Sequence, residues 1–322
     1  MTELVAVARN DLAPVERGPL DRNPAAVYLA GLSEGSRRTM LQALNMIAST
    51  LRPGSDALTL PWSELRYQHV AALRSKLAAS YAPATGSKML CALRGALREA
   101  WRLGQIPEQD YRRAIDIQGV RGQTLPAGRA LSQGEITALL HVCAADPTPA
   151  GTRDGALIAI LYGTGIRRAE AVGLDLEDFD PETGELRVLR GKGAKDRIVY
   201  VANGASKWLT DWLGIRGPDA GPLFLPVAKG GRVERRRLTT QAIYTALQKR
   251  ARQAGVGVVS PHDLRRTNIT QLLEAGADLL VVSRLAGHAS VQTTSRYDRR
   301  GEAAKRTAAG MLHVPYRGQQ HG

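Results

Sequence analysis

Apolar residues in the first hundred positions recur at helical rather than strand spacing. After Pro24, residues 25–32 form a short apolar run. Met40, Leu41, Leu44, Ile47 and Leu51 then share one helical face, behind Ser36 as a cap and ahead of the breaker Pro53-Gly54. Leu65, Val70, Leu73 and Leu77 predict a third helix over about 62–79. Met89, Leu90, Leu93, Leu97 and Trp101 predict a fourth over about 85–104. Such faces can only be buried against one another, so the pattern predicts a helical bundle. Residues 1–23 show no period and read as a flexible arm. Residues 119–128 hold three glycines and one proline without an apolar period, the composition of a linker.

Beyond the linker, Ser132-Gln-Gly-Glu135 is a capping box in front of Ile136, Leu139 and Leu140. A helix over about 153–162 ends at Gly163. Two short β-prone runs, 185–190 and 197–201, flank the polar stretch Gly191-Lys-Gly-Ala-Lys-Asp196 and predict a hairpin. Helical spacing returns over about 239–254, 263–275, 279–285 and 292–298. The expected fold class is mainly α. A helical domain at 24–118 and the linker at 119–128 precede a mixed α/β domain at 129–298, which carries a small antiparallel sheet, and a tail at 299–322.

Charge then narrows the function. The 322 residues include 44 Lys+Arg against 30 Asp+Glu, a formal net charge of +14. Residues 1–121 carry 16 basic and 11 acidic groups, and 122–322 the other 28 and 19. Both domains are basic, which suits a protein that grips a polyanion from two sides, nucleic acid being the commonest. The excess of Arg over Lys also fits a compositional bias of the source genome, so charge alone proposes the partner without deciding it. Cys91 and Cys143 are too few for a disulfide framework or a four-ligand zinc site, fit a reducing compartment, and read as structural. Trp62, Trp101, Trp208 and Trp212 read as packing residues. No apolar run reaches the ~18–20 residues of a membrane span, and the polar start lacks a secretory signal pattern.

Three segments of the second domain carry candidate chemistry. In Gly163-Thr-Gly-Ile-Arg-Arg-Ala-Glu170 a glycine pair precedes Arg167, and Glu170 lies one turn further on; the same spacing also describes a surface ion pair. In Ser260-Pro-His-Asp-Leu-Arg265, Ser260 and Pro261 suit a helix N-cap and first position. His262 and Arg265 then share a face at the positive end of the helix dipole, a place for an anion or an ordinary cap. His288 follows the helix-ending Gly287, and Tyr297 closes the next short amphipathic run.

Taken in order, Arg167, Lys192 in the hairpin, His262 with Arg265, His288 and Tyr297 resemble the tyrosine recombinase family, the lambda integrase and Xer type of DNA breaking and joining enzymes. Thr164-Gly-Ile-Arg-Arg-Ala-Glu170 is similar to that family's first arginine box, and Gly191-Lys-Gly-Ala-Lys195 to its hairpin lysine. His262-Asp-Leu-Arg-Arg266 is similar to its His-x-x-Arg box, and Leu285-Ala-Gly-His288 through Tyr297 to its nucleophile box. The preceding bundle is similar to its SAM-like core-binding domain.

The resemblance implies a site-specific recombinase or integrase, as used by mobile elements and in chromosome resolution. Tyr297 would be the nucleophile, with Arg167 and Arg265 on the non-bridging phosphate oxygens. His262 and His288 would bind the phosphate or move a proton. Lys192 would be the general acid, with Lys195 its rival, and Glu170 would orient Arg167 or His262. It implies further a 3′-phosphotyrosine intermediate, a Holliday junction and a homotetramer on two sites. The DNA would be double-stranded, carry short inverted-repeat core sites, and be held in a C-shaped clamp, with the tail docked on a neighbouring protomer. No metal or other cofactor and no membrane is implied, and a bacterial cytoplasmic, nucleoid-associated setting is expected.

The chemistry is coherent on its own terms. A phenol supplies the nucleophile, two planar guanidinium forks match a dianionic phosphorane, and the pKa of an ammonium beside them can fall, which suits a general acid. Arg37, Arg38, Lys88 and Arg94 on the bundle, with Lys195 and Arg266, are expected to contact DNA phosphates. With only about two dozen residues before the bundle, a recombinase acting on core sites without an extra arm-binding domain is expected. The alternatives are a type IB topoisomerase-like enzyme that relaxes supercoils and a catalytically silent DNA-binding protein of this fold. The helical bundle and the close His288–Tyr297 spacing favour the recombinase over the first, and the complete residue set speaks against the second.

Overall fold

The computed structural model describes residues 19–122, 128–189, 196–288 and 290–298, with 301, 306 and 309–311 beyond them. The chain divides into two units, Met1–Pro126 and Ala127–Gly322.

In the first unit, α1 (Pro24–Ala30) starts where the Asn23 side chain accepts from the Ala25 and Ala26 amides and Pro24 fills the first turn. The helices α2 (Glu34–Leu51), α3 (Tyr67–Ser80), α4 (Pro83–Arg102) and α5 (Glu108–Ile115) follow. Leu44, Ile47, Leu73, Leu77, Leu90 and Leu97 belong to one core with Trp62, whose indole N–H donates to the Ala57 carbonyl at 2.8 Å. Trp101 stacks on Tyr111 with ring centroids 5.3 Å apart.

Several expectations shift. The second helix begins at Glu34, before Ser36, and its Leu41 is exposed. The run from 62 is broken: a 3-10 turn at Trp62–Glu64 ends at Leu65, and the Arg66 amide donates to His69 Nδ1 at 3.0 Å as α3 starts afresh. Helix α5 has no counterpart in the sequence pattern, because its buried face is only Tyr111 and Ala114. Cys91 is exposed rather than part of the core. The start of the expected linker is packed: Arg74 donates to the carbonyls of Gln118 and Gly119, Ser87 Oγ to that of Val120, and Val120 is buried.

Two of the four bundle cations expected at DNA are engaged within the unit. Arg94 is half-buried and donates to the carbonyls of Ile115 (3.4 Å) and Ile117, bracing the chain that follows α5. Arg37 donates to the carbonyls of Leu29 at 3.1 Å and Leu32 at 3.2 Å, closing the end of α1. Arg38 and Lys88 are exposed.

In the second unit, α6 (Gln133–Ala144) opens on its capping box: Ser132 Oγ accepts from the Glu135 amide at 3.2 Å, and Glu135 Oε2 from the Ser132 amide at 2.9 Å. The next helix, α7 (Pro149–Thr164), is buried on nearly every face and forms the centre of the unit. A short α8 (Arg168–Gly173) leads to β1 (Glu185–Val188), which pairs antiparallel with β2 (Arg197–Tyr200). Leu186 faces Val199, and Val188 faces Arg197. The alternation buries Leu186, Val188 and Val199 and exposes Ile198 and Tyr200, so Arg197 falls on the inner face. Residues 190–195, with the expected Lys192 and Lys195, lie outside the described residues.

Around α7 pack α9 (Gly204–Arg216), α10 (Thr240–Gln253) and α11 (Pro261–Glu274). Fully buried Arg250 of α10 meets Asp154 of α7 at 2.8 Å and Asp146 at 2.7 Å, so α10 is fixed by charge as well as packing. The sequence pattern omits α9, although Trp208, Leu209 and Trp212 mark its inner face. Finally α12 (Leu279–Ala286) and α13 (Val291–Ser295) follow; Val282 and Ala286 cluster with Ile269 and Leu273 of α11, and Tyr297 packs against them. No described helix is long and apolar enough to cross a membrane.

Candidate active site

Helix α7 ends in the left-handed Gly165, at φ 64°, where an added Cβ would stand 2.5 Å from Asn268 Oδ1. This turn delivers Arg167 to the N-cap position of α8. The Arg167 amide donates to Glu170 Oε2 at 2.7 Å and its Nη1 to Glu170 Oε1 at 2.8 Å, while Nη2 donates to the Gly287 carbonyl at 2.8 Å. The expected ion pair is therefore present, but it is an anchored one: the Glu170 side chain is only 6% exposed.

Helix α11 opens on the expected cap. Ser260 Oγ accepts from the Asp263 amide at 3.3 Å, Asp263 Oδ2 accepts from the Ser260 amide at 2.8 Å, and Pro261 occupies the first turn. One turn on, Arg265 is buried, 3% exposed, and donates to the carbonyls of Gly165 at 2.5 Å and Ala286 at 2.7 Å. Burial first, and the Arg167 charge next, pull its pKa down to about 10. His262 remains exposed on the same helix; partial desolvation, then Arg265 and Arg266, lower its pKa.

The left-handed cap Gly287, at φ 63°, ends α12 and sets the direction of His288. Its Nδ1 lies 2.7 Å from Oγ1 of the buried Thr294, which fixes the ring. Burial, followed by the charges of Arg265 and Arg167, pushes its pKa down to about 4, so the imidazole is neutral near pH 7. The Tyr297 ring lies nearly parallel to it, with centroids 6.2 Å apart at 15°.

Arg167, His262 and Arg265 line one cleft of about 410 Å³, together with Arg168, Tyr244 and Ser260. His288 and Tyr297 are beside it rather than in its lining. Arg266 departs from expectation. It is buried, donates to the Gly128 carbonyl at 3.0 Å, and its Cζ sits 5.5 Å from the Tyr297 ring centroid, so it supports the tyrosine and faces away from solvent. Lys192 and Lys195 are outside the described residues.

Sequence reasoning missed Arg197. Its Nη2 and Nη1 meet Glu170 Oε2 and Oε1 at 2.7 and 3.1 Å, and its Nε donates to the Leu285 carbonyl at 3.0 Å. Burial alone would raise the Glu170 pKa; the hydrogen bonds from Arg197 and Arg167 outweigh it and hold the group at about 2. The only signal in the sequence is its alternation with Val199 on the inner side of the hairpin.

A model of the phage integrase family matches residues 129–303. The tyrosine recombinase XerD of Mycobacterium tuberculosis is 38% identical over 230 residues, 68% of this chain and 70% of that protein. XerD of Pseudomonas aeruginosa is 33% identical over 293 residues, 89% of this chain and 94% of that protein. Among solved structures, the Tn1549 transposon integrase in complex with transposon right-end DNA shares the fold, with a TM-score of 0.67 at 16% identity over 90% of this chain and 99% of that one. The chain thus belongs to the phage integrase family and is a tyrosine site-specific recombinase.

Proposed function

We propose that the protein breaks and rejoins DNA through a covalent bond between Tyr297 and a 3′ phosphate. The observation that carries this reading is the convergence of Arg167, His262 and Arg265 on one cleft, with His288 against the same guanidinium groups and Tyr297 stacked on His288. The Tyr297 oxygen attacks phosphorus, its proton passing to a neutral histidine or to solvent. The P–O5′ bond breaks, and the departing 5′ oxygen takes a proton from Lys192. Arg167 and Arg265 stabilise the negative charge that builds on the two non-bridging oxygens.

The ester keeps the energy of the broken bond, so a 5′ hydroxyl of a second duplex can displace Tyr297 without any outside energy source. Exchange of both strands between two duplexes requires four cuts, hence four tyrosines, which is the basis for assigning a tetramer on two sites and a Holliday junction between the rounds. Exposed Arg38 and Lys88 are assigned to DNA phosphates, the 299–322 tail to a neighbouring protomer, and the setting to bacterial DNA in the cytoplasm.

The test uses duplexes from the DNA flanking the gene, nicked beside the cleavage position so that the cut strand diffuses away. Incubation in EDTA should give a denaturant-resistant protein–DNA adduct, and Tyr297→Phe should abolish it while still binding the duplex. An adduct that persists in Tyr297→Phe removes Tyr297 as nucleophile. Relaxation of supercoiled DNA without exchange of flanks in a two-site assay would transfer the reading to a topoisomerase.

A further inference from the structure

Three guanidinium groups from three separate segments donate to three successive carbonyls at the end of α12. Arg197 Nε reaches Leu285 at 3.0 Å, Arg265 Nη2 reaches Ala286 at 2.7 Å, and Arg167 Nη2 reaches Gly287 at 2.8 Å. The last carbonyls of a helix have no partner within it and carry its partial negative charge, so a cation there is doubly favoured. His288 is the next residue, and Tyr297 lies one short helix further on.

Arg167 and Arg265 already have a place in the proposed chemistry; Arg197 has none. Its Nε, Nη1 and Nη2 each have a protein partner, and its side chain is 12% exposed. It is also absent from the lining of the cleft that Arg167 and Arg265 share, which leaves it poorly placed to meet a DNA phosphate. The guanidinium lies against Gly287 so closely that an added Cβ there would stand 2.9 Å from its Cζ. Arg197 also opens β2, five residues after Lys192 in the sequence.

We propose that Arg197 is a positioning residue for recombination: by joining Glu170 to the end of α12, it fixes His288 and the approach to Tyr297 relative to Arg167. This rests on the recombinase reading. Neither smaller nor merely charged residues can do the same. Lysine carries one nitrogen where the site uses three, two on the carboxylate and one on the carbonyl.

The test compares wild type, Arg197→Ala and Arg197→Lys in two assays. One is the rate of adduct formation on the nicked duplex at saturating protein, measured beside the Kd for that duplex. The other is amide hydrogen exchange of the free protein over 285–297. Arg197→Ala should slow the saturated rate by about tenfold or more, because misplaced catalytic groups act on the chemical step. Its Kd should match wild type, and exchange should quicken over 285–297 ahead of the rest of the unit. Arg197→Lys should fall between, and millimolar guanidinium ion should restore part of the Arg197→Ala rate.

Three results overturn the proposal: an unchanged saturated rate, a loss that lies wholly in Kd, or faster exchange spread evenly over the second unit. If wild type forms no adduct, it is the recombinase reading that fails, and the exchange measurement on free protein still decides whether Arg197 holds the segment.

Discussion

Replacing Glu170 by Gln tests the centre of the site without changing its size. The carboxylate is 6% exposed and accepts four hydrogen bonds: the Arg167 amide, Arg167 Nη1, Arg197 Nη1 and Arg197 Nη2. Glutamine keeps one acceptor oxygen and turns an NH2 group toward donors, leaving two partly buried guanidinium groups short of a counter-charge. Breaking a buried pair from one side costs about 3–5 kcal/mol. The titration gives a similar figure. A fall in pKa from 4.5 to about 2 corresponds to about 3 kcal/mol of native-state stabilisation of the charged form. For a unit of this size, about 3 kcal/mol lowers the melting midpoint by roughly 6–12 °C. The sign of the pH dependence follows from the lowered pKa. The contribution is complete above the unfolded value of 4.5 and is lost as pH falls through about 2. Urea and thermal unfolding of wild type and Glu170→Gln should therefore differ fully near neutral pH and converge as pH drops from about 4.5 toward 2. Other low-pKa carboxylates cancel in the difference. A midpoint change under about 2 °C, or a gap that stays constant through the acid range, would refute the shared-carboxylate account.

Four further outcomes are expected. Arg265→Ala should slow adduct formation by at least about 100-fold, in keeping with about 3 kcal/mol for one lost transition-state contact, and near-normal cleavage would remove it from the phosphate. Gly287→Ala should lower stability by about 1–2 kcal/mol, since a Cβ meets both the left-handed φ of 63° and the Arg197 guanidinium; an unshifted unfolding curve would count against that geometry. Arg94→Ala should destabilise the first unit and leave the salt dependence of DNA binding alone, whereas Lys88→Ala or Arg38→Ala should reduce the slope of log K against log salt by about one; the reverse pattern would restore Arg94 to the DNA face. In an NMR titration of free protein, His288 should stay neutral down to about 4, and vanadate or cleaved DNA in the cleft should raise its pKa; a normal titration near 6.5 without any ligand would contradict the burial and arginine field described for it.

The parts of the fold that can be read from the chain are those set by local rules. Leu90, Leu93 and Leu97 repeat on one face of a long helix, and the caps at Ser132 and Ser260 each need only residues three apart. Arg167 and Glu170 obey the same local rule, so their pairing is legible even though its burial is not. Helices α5 and α9 escape because two or three buried residues make too short a period, however firm the packing of Trp212 proves to be. Arg197 escapes for a different reason: its partners are 27 and 88 residues away, and nothing beside it in sequence distinguishes it from any cation at a strand end. Arg94 and Arg266 show the opposite error. Sequence places them on helices in a basic protein, but only tertiary structure supplies the carbonyls of Ile117 and Gly128 that turn their guanidinium groups inward.

On the proposed reading, the arrangement also explains why arginine and not lysine stands at positions 167 and 265. Arg265 gives one N–H each to the carbonyls of Gly165 and Ala286, and Arg167 one each to Glu170 and Gly287. A guanidinium has five N–H groups in a plane, so a side chain anchored through two of them has three others. A lysine could be anchored or could bind, with little left for the other. Anchoring means that little reorganisation is needed when charge develops on the phosphorane. In the free site burial first, and then the charges of Arg265, Arg266 and Arg167, lower the pKa of His262 against an opposing Asp263, while burial followed by Arg265 and Arg167 lowers that of His288. On the proposed reading, a phosphodiester entering the cleft would bring compensating negative charge. It would relieve the repulsion among the arginines and raise the histidine pKa values together, so that the groups assigned to accept or share a proton become competent to do so when DNA is in place.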